Sequence, residues 1–118
     1  MQIIKGWTDD DGNMHQKVID VAGDAVSAAA VDPLSCKLLG EGHASLCEVW
    51  RDDEFDRAQS AVYYSRVIEV PTCRWTSYDC NSIAEAERPS LCTSPLLQRT
   101  VQERAWTSPI WYSAATEQ

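Results

Sequence analysis

The side chains best suited to chemistry lie in one short acidic stretch. The run RDDEFD contains Asp52, Asp53 and Asp56, and His43 lies just upstream of it. Carboxylate oxygens and an imidazole nitrogen are ligands that divalent cations use in metal-assisted hydrolysis. A surface turn or a short helix with Phe55 packed inward explains the same residues, since acidic side chains favour helix starts. We favour the turn or helix, because a hard cation needs several oxygens that converge.

A second acidic run, TDDDGN, has the composition of a calcium-binding loop but the wrong register. Such a loop needs acidic residues at alternate positions before its glycine, and Trp7 falls where the first ligand should be. Asp-Gly followed by Asn is a turn signal, and the flanking residues suit strands. The run therefore predicts a β-hairpin that joins strands at Ile3–Trp7 and Met14–Val21.

Motifs for nucleophilic or cofactor chemistry are absent from the sequence. It contains no GxSxG, no P-loop, no GxGxxG and no HExxH. We therefore assign no catalytic, cofactor-binding or metal-binding residue. We expect no cofactor and no enzymatic activity from this chain alone.

Five cysteines stand out in a chain of 118 residues. No CxxC pair is present, so disulfide bonds are favoured over a zinc site, and they imply an oxidising, extracytoplasmic compartment. Cys36 and Cys47 flank one polar loop, and Cys80 and Cys92 flank another, which makes these the two pairs expected first. Cys73 is then a free thiol or the true partner of one of the others. A Cys73–Cys80 bond remains an alternative, because sequence does not fix connectivity.

Length and charge narrow the class of protein. A chain of 118 residues predicts a single domain, residues 1–118, with a modest core. The net charge of −8 argues against nucleic-acid and anionic-membrane partners, both of which need a basic face. No apolar stretch is long enough to span a bilayer, and MQIIKGW lacks the features of a signal peptide.

The stretch that organises the chain is Ala61–Val70, AVYYSRVIEV. Its β-branched and aromatic residues favour a strand, and alternation places large apolar side chains on both faces. The stretch therefore predicts a central strand, ended by Pro71. Arg66 and Glu69 lie on opposite faces, and each needs a partner or a route to water.

Weaker patterns complete the architecture. SLCEVWR predicts a strand at Ser45–Arg51, and SIAEAER predicts a short helix that ends near Pro89. Residues 22–42 predict a loop, and Thr116–Gln118 predict a frayed end. The fold class expected is mainly β, an antiparallel sheet or small β-sandwich with long loops and one or two short helices. We also expect one or two last strands with a bend at Pro109. The residues expected to anchor these strands are Val101, Trp106, Ile110 and Tyr112.

Tryptophan and tyrosine carry most of the aromatic mass, which favours a sheet surface or a shallow groove over a deep core. An exposed set of tryptophans would form a binding face for carbohydrate or a protein partner. The residues considered for that face are Trp50, Trp75, Trp106 and Trp111.

Three segments of the chain resemble one protein family. They are IIKGWTDDDGNMHQKVIDVAG, then EVWRDDEFDRAQSAVYYSRVIEVPTCRWTSYDC, then QERAWTSPIWY, and they cover over half the chain. Together they look like the C-terminal portion of the large bacterial domain-of-unknown-function family 3604. SLCEVW, PTCRW and YDC resemble a cysteine-bearing subgroup of that family.

The resemblance implies a setting more than a mechanism. Full-length members are similar to the polymerase-and-histidinol-phosphatase superfamily of metal-dependent phosphoesterases, which are built on a distorted barrel, and they often carry an export signal. No segment of this sequence matches the metal-ligand motifs of that superfamily, so no ligand is carried over. The chain resembles the tail alone, as a fragment of a larger protein or as a short gene product.

Three functions follow, in the order in which we favour them. The first is a non-catalytic accessory β domain that packs on a hydrolase-like barrel. The second is a free-standing binding module that uses the tryptophan face. The third is a small metal-assisted hydrolase that uses His43 and the acidic cluster from Asp52 to Asp56. The partner expected is the missing barrel, another protein or, in a homodimer, a second copy of the chain.

Overall fold

The computed structural model describes residues 1–24 and 29–114. These residues form mainly strands, with one α-helix and two 3-10 turns at Glu85–Glu87 and Ser90–Thr93, which confirms the mainly β class. In chain order the other elements are β1 (Gln2–Thr8), β2 (Met14–Asp20), β3 (Ala30–Val31), β4 (Leu38–Leu39), β5 (Ala61–Ile68), β6 (Thr72–Cys73), α1 (Trp75–Ser82), β7 (Thr100–Val101), β8 (Arg104–Trp106) and β9 (Ile110–Tyr112).

The described residues fall into two compact units. Unit 1 comprises residues 1–24, 44–67 and 104–114, and unit 2 comprises residues 29–43 and 68–103. The sequence predicts a loop over residues 22–42, but β3 and β4 lie within this stretch and pair antiparallel, so the prediction is wrong at Ala30–Val31 and Leu38–Leu39. Residues 25–28 of the stretch lie outside the described ranges. The frayed end expected at Thr116–Gln118 lies outside them altogether.

β1 and β2 form the predicted hairpin, with Ile4 opposite Val18. The Asp9 N–H donates to the Asn13 carbonyl at 3.0 Å and closes the turn. Gly12 adopts a φ of 82°, which a residue without a Cβ reaches at little cost. The Asp9 carboxylate accepts a bond from the Asn13 N–H at 2.8 Å, so the acidic run serves the turn.

β5 is the central strand of unit 1, as predicted. The sheet order is β2–β1–β5–β8, and β9 also pairs with β5, so β8 and β9 share one edge of that strand. The antiparallel register places Ile3 opposite Ser65, and it places both Lys5 and Ile110 opposite Tyr63. Residues directly opposite each other share a face of a sheet. We name the face that carries these five side chains the cavity face.

Residues 44–60 form an irregular segment, so the strand predicted at Ser45–Arg51 is wrong. No ladder position beside β5 is left for it, because β1 pairs with one edge of β5 and β8 and β9 pair with the other. Side chains order the segment instead. Asp52 Oδ1 accepts the Glu54 N–H at 3.1 Å, and Asp56 Oδ1 accepts the Ala58 N–H at 2.8 Å. A turn forms in the acidic stretch, as expected, and no helix forms there, but Phe55, which was expected to pack inward, is 44% exposed.

The sequence predicts a helix in the segment SIAEAER, but the α-helix of the structure, α1, begins upstream of that segment, at Trp75. Only the short 3-10 turn at Glu85–Glu87 forms in that segment. Tertiary contacts hold α1, which has no clear periodic pattern: Ser77 Oγ donates to the Arg99 carbonyl at 2.6 Å, and Cys80 is buried. No helix of the described residues has the length and apolar character needed to cross a bilayer.

Two disulfide bonds cross-link unit 2, and they indicate an oxidising environment. The bond between Cys80 and Cys92 is the one the sequence predicts. The bond expected between Cys36 and Cys47 is wrong, because Cys36 pairs with Cys73 at a Cα–Cα distance of 5.6 Å. The turn after β3 brings Cys36 beside β6, which carries Cys73. Cys47 is an exposed free thiol in unit 1.

The buried set is small in both units. Unit 1 buries Ile4, Ala61 and, unusually, Lys5. In unit 2 sulfur supplies most of the interior, because three of its buried residues are disulfide-bonded cysteines. Packing is therefore supported by covalent bonds in unit 2 and by a buried charge in unit 1. The buried residues of unit 2 are Ala29, Cys73, Ser77, Cys80 and Cys92.

Candidate functional site

A cavity of about 610 Å³ lies within unit 1, against the cavity face of the sheet. Ile3, Tyr63 and Ser65 form its floor, because the register of β1 and β5 places them on that face. The irregular segment 44–60 forms one wall, and the connection between β8 and β9 forms the other. The remaining lining residues are Trp50, Arg51, Asp52, Phe55, Tyr64, Thr107, Ser108 and Ile110.

Aromatic rings dominate the walls of this cavity. The ring centroids of Trp50 and Tyr63 lie 6.2 Å apart with the planes inclined at 51°. Phe55 meets Tyr112 edge to face at 4.8 Å, and the Tyr112 hydroxyl donates to the Arg57 carbonyl at 2.9 Å. These contacts tie the irregular segment to β5 and β9, and offset or tilted pairs of this kind are the favoured geometry for rings.

Asp52 is the polar centre of the site. Its Oδ2 accepts hydrogen bonds from Lys5 Nζ at 2.6 Å and from the Tyr63 hydroxyl at 2.7 Å. Lys5 Nζ also donates to the Glu54 carbonyl at 3.1 Å. The side chains of Lys5 and Asp52 are 5% and 13% exposed, so this ion pair is shielded from water. A shielded pair remains tolerable only when further hydrogen bonds satisfy both charges, which is the arrangement here.

The protonation of the two acidic groups follows from this network. Burial opposes the ionisation of Asp52, but the hydrogen bonds from Lys5 and Tyr63 outweigh it, so the pKa of that carboxyl lies below its ordinary value of 3.8. Burial, together with the bond to the Asp52 carboxylate, raises the pKa of Tyr63 to about 12. At neutral pH the carboxylate is therefore charged and the phenol is neutral.

Two aromatic rings also face the Lys5 ammonium. Its Nζ lies 5.3 Å from the ring centroid of Trp7 and 5.8 Å from that of Tyr63. A cation within about 6 Å of a ring centroid is attracted by the ring quadrupole. The buried charge of Lys5 is thus balanced by one carboxylate and two rings.

The opposite wall contributes hydroxyl groups. Thr107 Oγ1 accepts a bond from the Ser65 N–H at 3.0 Å and a longer one from the Ser65 hydroxyl at 3.4 Å. The Thr107 N–H donates in turn to the Ser65 carbonyl at 3.0 Å. This exchange fixes Thr107 at the edge of the cavity, next to Ser108.

The four tryptophans proposed as a binding face do not all line this cavity. Only Trp50 does so. Trp106 and Trp111 are 59% and 74% exposed on β8 and β9 of unit 1, whereas Trp75 is exposed at the start of α1 in unit 2. The face remains a prediction, now with residues that belong to two separate units.

Two of the residues proposed for metal chemistry, Asp52 and Asp56, make other interactions. Asp52 is paired with Lys5, and Asp56 caps a local turn. In the first hairpin, hydrogen bonds from His15, 2.7 Å away, and from Asn13 lower the pKa of Asp9 to about 2. Within residues 1–24 and 29–114, no group of three or more His, Cys, Asp or Glu side chains is placed to hold a metal ion.

Several residues of the site carry no motif in the sequence. Lys5 and Tyr63 meet Asp52 only because two strands pair and a distant segment covers them. A lysine between Ile3 and Trp7 on one face of a predicted strand was the available signal, since such a charge needs a partner. Arg66, for which the sequence does predict a partner, donates from Nε to Gln2 Oε1 at 3.0 Å.

Comparison with known proteins gives a family match. No curated protein and no solved structure matches this chain. The sequence profile described as "Protein of unknown function (DUF3604)" matches residues 1–114, nearly the whole chain and including every lining residue of the cavity. The chain belongs to the DUF3604 family.

Proposed function

We propose that this chain is a non-catalytic accessory domain that binds a small ligand in the cavity of unit 1. The observation that carries the proposal is the make-up of that cavity: Trp50, Phe55 and Tyr63 surround a space of about 610 Å³. Small-molecule sites commonly have this volume and combine aromatic walls with a few fixed polar groups. A ligand with a flat apolar part fits such walls.

The ionisable groups in the cavity favour binding over catalysis. A general acid or base works best when its pKa lies near the working pH. The pKa of Asp52 is lowered and that of Tyr63 is raised to about 12, so both lie far from neutrality. The network of Asp52 with Lys5 and Tyr63 therefore acts as a fixed support for the site.

The accessory role rests on the family resemblance, in which the C-terminal portion accompanies a hydrolase-like barrel. We propose a periplasmic or secreted location, because disulfide bonds persist in oxidising compartments. In this setting the domain would capture a ligand beside the barrel and leave the chemistry to it.

Titration with a neutral aromatic probe, 3-phenylpropanamide, tests the binding function. We expect saturable changes in backbone amide NMR shifts, confined to residues 50–55, 63–65 and 107–110, with a Kd of about 1 mM. Trp50→Ala should weaken binding about tenfold by removing one wall, which corresponds to about 1.4 kcal/mol. Trp75→Ala, in unit 2, is the matched control and should leave the Kd unchanged. Absence of saturable shifts in the wild-type chain would contradict the proposal.

Docking on a protein partner is a second candidate, favoured by a different observation. Trp106 and Trp111 are largely exposed and do not line the cavity. Exposed aromatic side chains are enriched at protein interfaces. If they form a docking edge, the isolated chain should self-associate in light-scattering measurements, and a Trp106→Ser, Trp111→Ser variant should be monomeric. A wild-type chain that stays monomeric at all concentrations argues against this candidate.

A further inference from the structure

The polar groups of the cavity that remain free to bond to a ligand are hydrogen-bond donors. They therefore bear on the chemical class of ligand that the proposed binding site accepts. The main acceptor, Asp52, is already occupied by Lys5, Tyr63 and the Glu54 N–H. Thr107 Oγ1 accepts two bonds from Ser65, which leaves its own O–H to donate.

Two further donors line the cavity without a partner among the described residues. They are the Ser108 hydroxyl and the Arg51 guanidinium, whose side chain is exposed. Guanidinium offers five N–H groups and matches the two oxygens of a carboxylate. A ligand that uses these groups must therefore present acceptor oxygens.

The charge of the lining also favours a ligand with acceptor oxygens. Its two ionised residues are Arg51 and Asp52, and the Asp52 charge is balanced by Lys5. The lining therefore keeps one uncompensated positive charge, although the whole chain carries −8. An arginine without an ion-pair partner in the lining favours an anionic ligand over a cationic one at that position.

The rest of the cavity suits an apolar body. Trp50, Phe55 and Tyr63 contribute aromatic rings, and Ile3 and Ile110 add aliphatic side chains to the lining. We propose that the cavity binds a small aromatic carboxylate, with its ring against Trp50 and Tyr63 and its carboxylate at Arg51. This proposal rests on the binding function above and adds the chemical class of the ligand.

Three probes with the same ring and chain length test the ligand class: 3-phenylpropionate, 3-phenylpropanamide and 3-phenylpropylamine. Each is titrated into the intact chain, and binding is followed by the amide shifts of the cavity residues. We expect the carboxylate to bind about tenfold more tightly than the amide and the amine to bind most weakly. Added salt should weaken the binding of the carboxylate and of neither other probe, since salt screens the attraction between the carboxylate and Arg51.

Arg51→Gln should lower the affinity for the carboxylate to that for the amide and leave the amide unaffected. Arg104→Gln removes an equal charge from an exposed residue of unit 1 that does not line the cavity, so it should preserve the preference. Both positions are exposed, and equal thermal unfolding curves will show that folding is unchanged. Equal affinity for acid and amide, or tighter binding of the amine, overturns the ligand class but leaves the binding function standing. If none of the three probes shifts the cavity signals, both proposals fail.

Discussion

Lys5 Nζ lies 2.6 Å from Asp52 Oδ2 and joins β1 to the irregular segment 44–60. The two residues are 47 positions apart in sequence, and both are shielded from water. The pair fixes Asp52 in the cavity lining and positions the Tyr63 hydroxyl, which donates to the same oxygen. A second lysine, Lys17 on β2, reaches the same segment through Glu54 at 2.7 Å, but that pair is exposed.

Lys5→Met should destabilise the chain strongly, because it leaves a shielded carboxylate without its cation. We expect the free energy of unfolding to fall by about 3 kcal/mol, as for other broken buried pairs. Urea denaturation followed by far-ultraviolet circular dichroism measures the change. Lys17→Met, which removes the exposed pair with Glu54, is the control and should cost less than about 1 kcal/mol.

The double variant Lys5→Met, Asp52→Asn separates the loss of the pair from the loss of the lysine alone. Asparagine keeps an acceptor for Tyr63 without the negative charge, so the double variant should be less destabilised than the sum of the two single changes. Equal costs for Lys5→Met and Lys17→Met would mean that shielding contributes nothing to the pair.

Tyr63 should lose its proton at a higher pH than an ordinary tyrosine does. Its pKa in the folded chain is raised from 10.0 to about 12. Stability linked to this group is therefore fully present below pH 10 and is lost as the pH rises through about 12. Phenolate absorbance should show one tyrosine titrating near the upper value. Tyr63→Phe should remove that step, whereas Tyr78→Phe, at an exposed position in unit 2, should leave it in place.

The Asp9 carboxyl should titrate well below its ordinary range. Hydrogen bonds from His15 and Asn13 hold its pKa at about 2, against 3.8 without them. The folded-state pKa is lowered, so the stability it provides is present above pH 3.8 and is lost as the pH falls through about 2. Carboxyl-carbon NMR measures the midpoint directly.

Two variants test the origin of that shift. His15→Gln should move the Asp9 midpoint back toward 3.8, because the first of its hydrogen-bond partners is lost. Asp10→Asn, a neighbouring exposed carboxylate in the same turn, should leave the midpoint of Asp9 where it is. An Asp9 midpoint close to 3.8 in the wild-type chain would contradict the hydrogen-bonded turn.

Local patterns in the sequence were sufficient to predict the hairpin and the central strand of the sheet in unit 1. The hairpin turn around Gly12 and the strand at Ala61–Ile68 follow from turn chemistry and from period-two alternation, both of which act over a few residues. SLCEVWR carries a strand pattern too, yet it forms no strand, and both edges of β5 are taken by other strands. Strand propensity is a preference for a half-buried surface, and it does not by itself provide a partner edge.

The site and the covalent links could not be predicted because they depend on distant residues. Trp50 was considered for a binding face from its type, and it lines the cavity, but nothing local indicates that Lys5 and Tyr63 meet Asp52. The same holds for Cys36, whose partner lies 37 residues away. Sequence shows that such groups need partners, whereas only the packed chain identifies them.

The two disulfide bonds should differ in how much each stabilises the chain, because they close loops of different length. Removing Cys36–Cys73 by double serine substitution frees a loop of 37 residues, and removing Cys80–Cys92 frees one of 12. In the chain-entropy model these losses cost about 4 and about 3 kcal/mol, respectively. Amide hydrogen exchange should show the loss of protection first around β6 and α1, because cysteines form most of the interior of unit 2. Cys47→Ser, which removes only an exposed free thiol, should change neither stability nor exchange.

Peptide mapping without reduction should recover Cys36 linked to Cys73, with Cys47 as the single alkylated cysteine. A peptide that links Cys36 to Cys47 would contradict this pattern and the fold of unit 2 that depends on it.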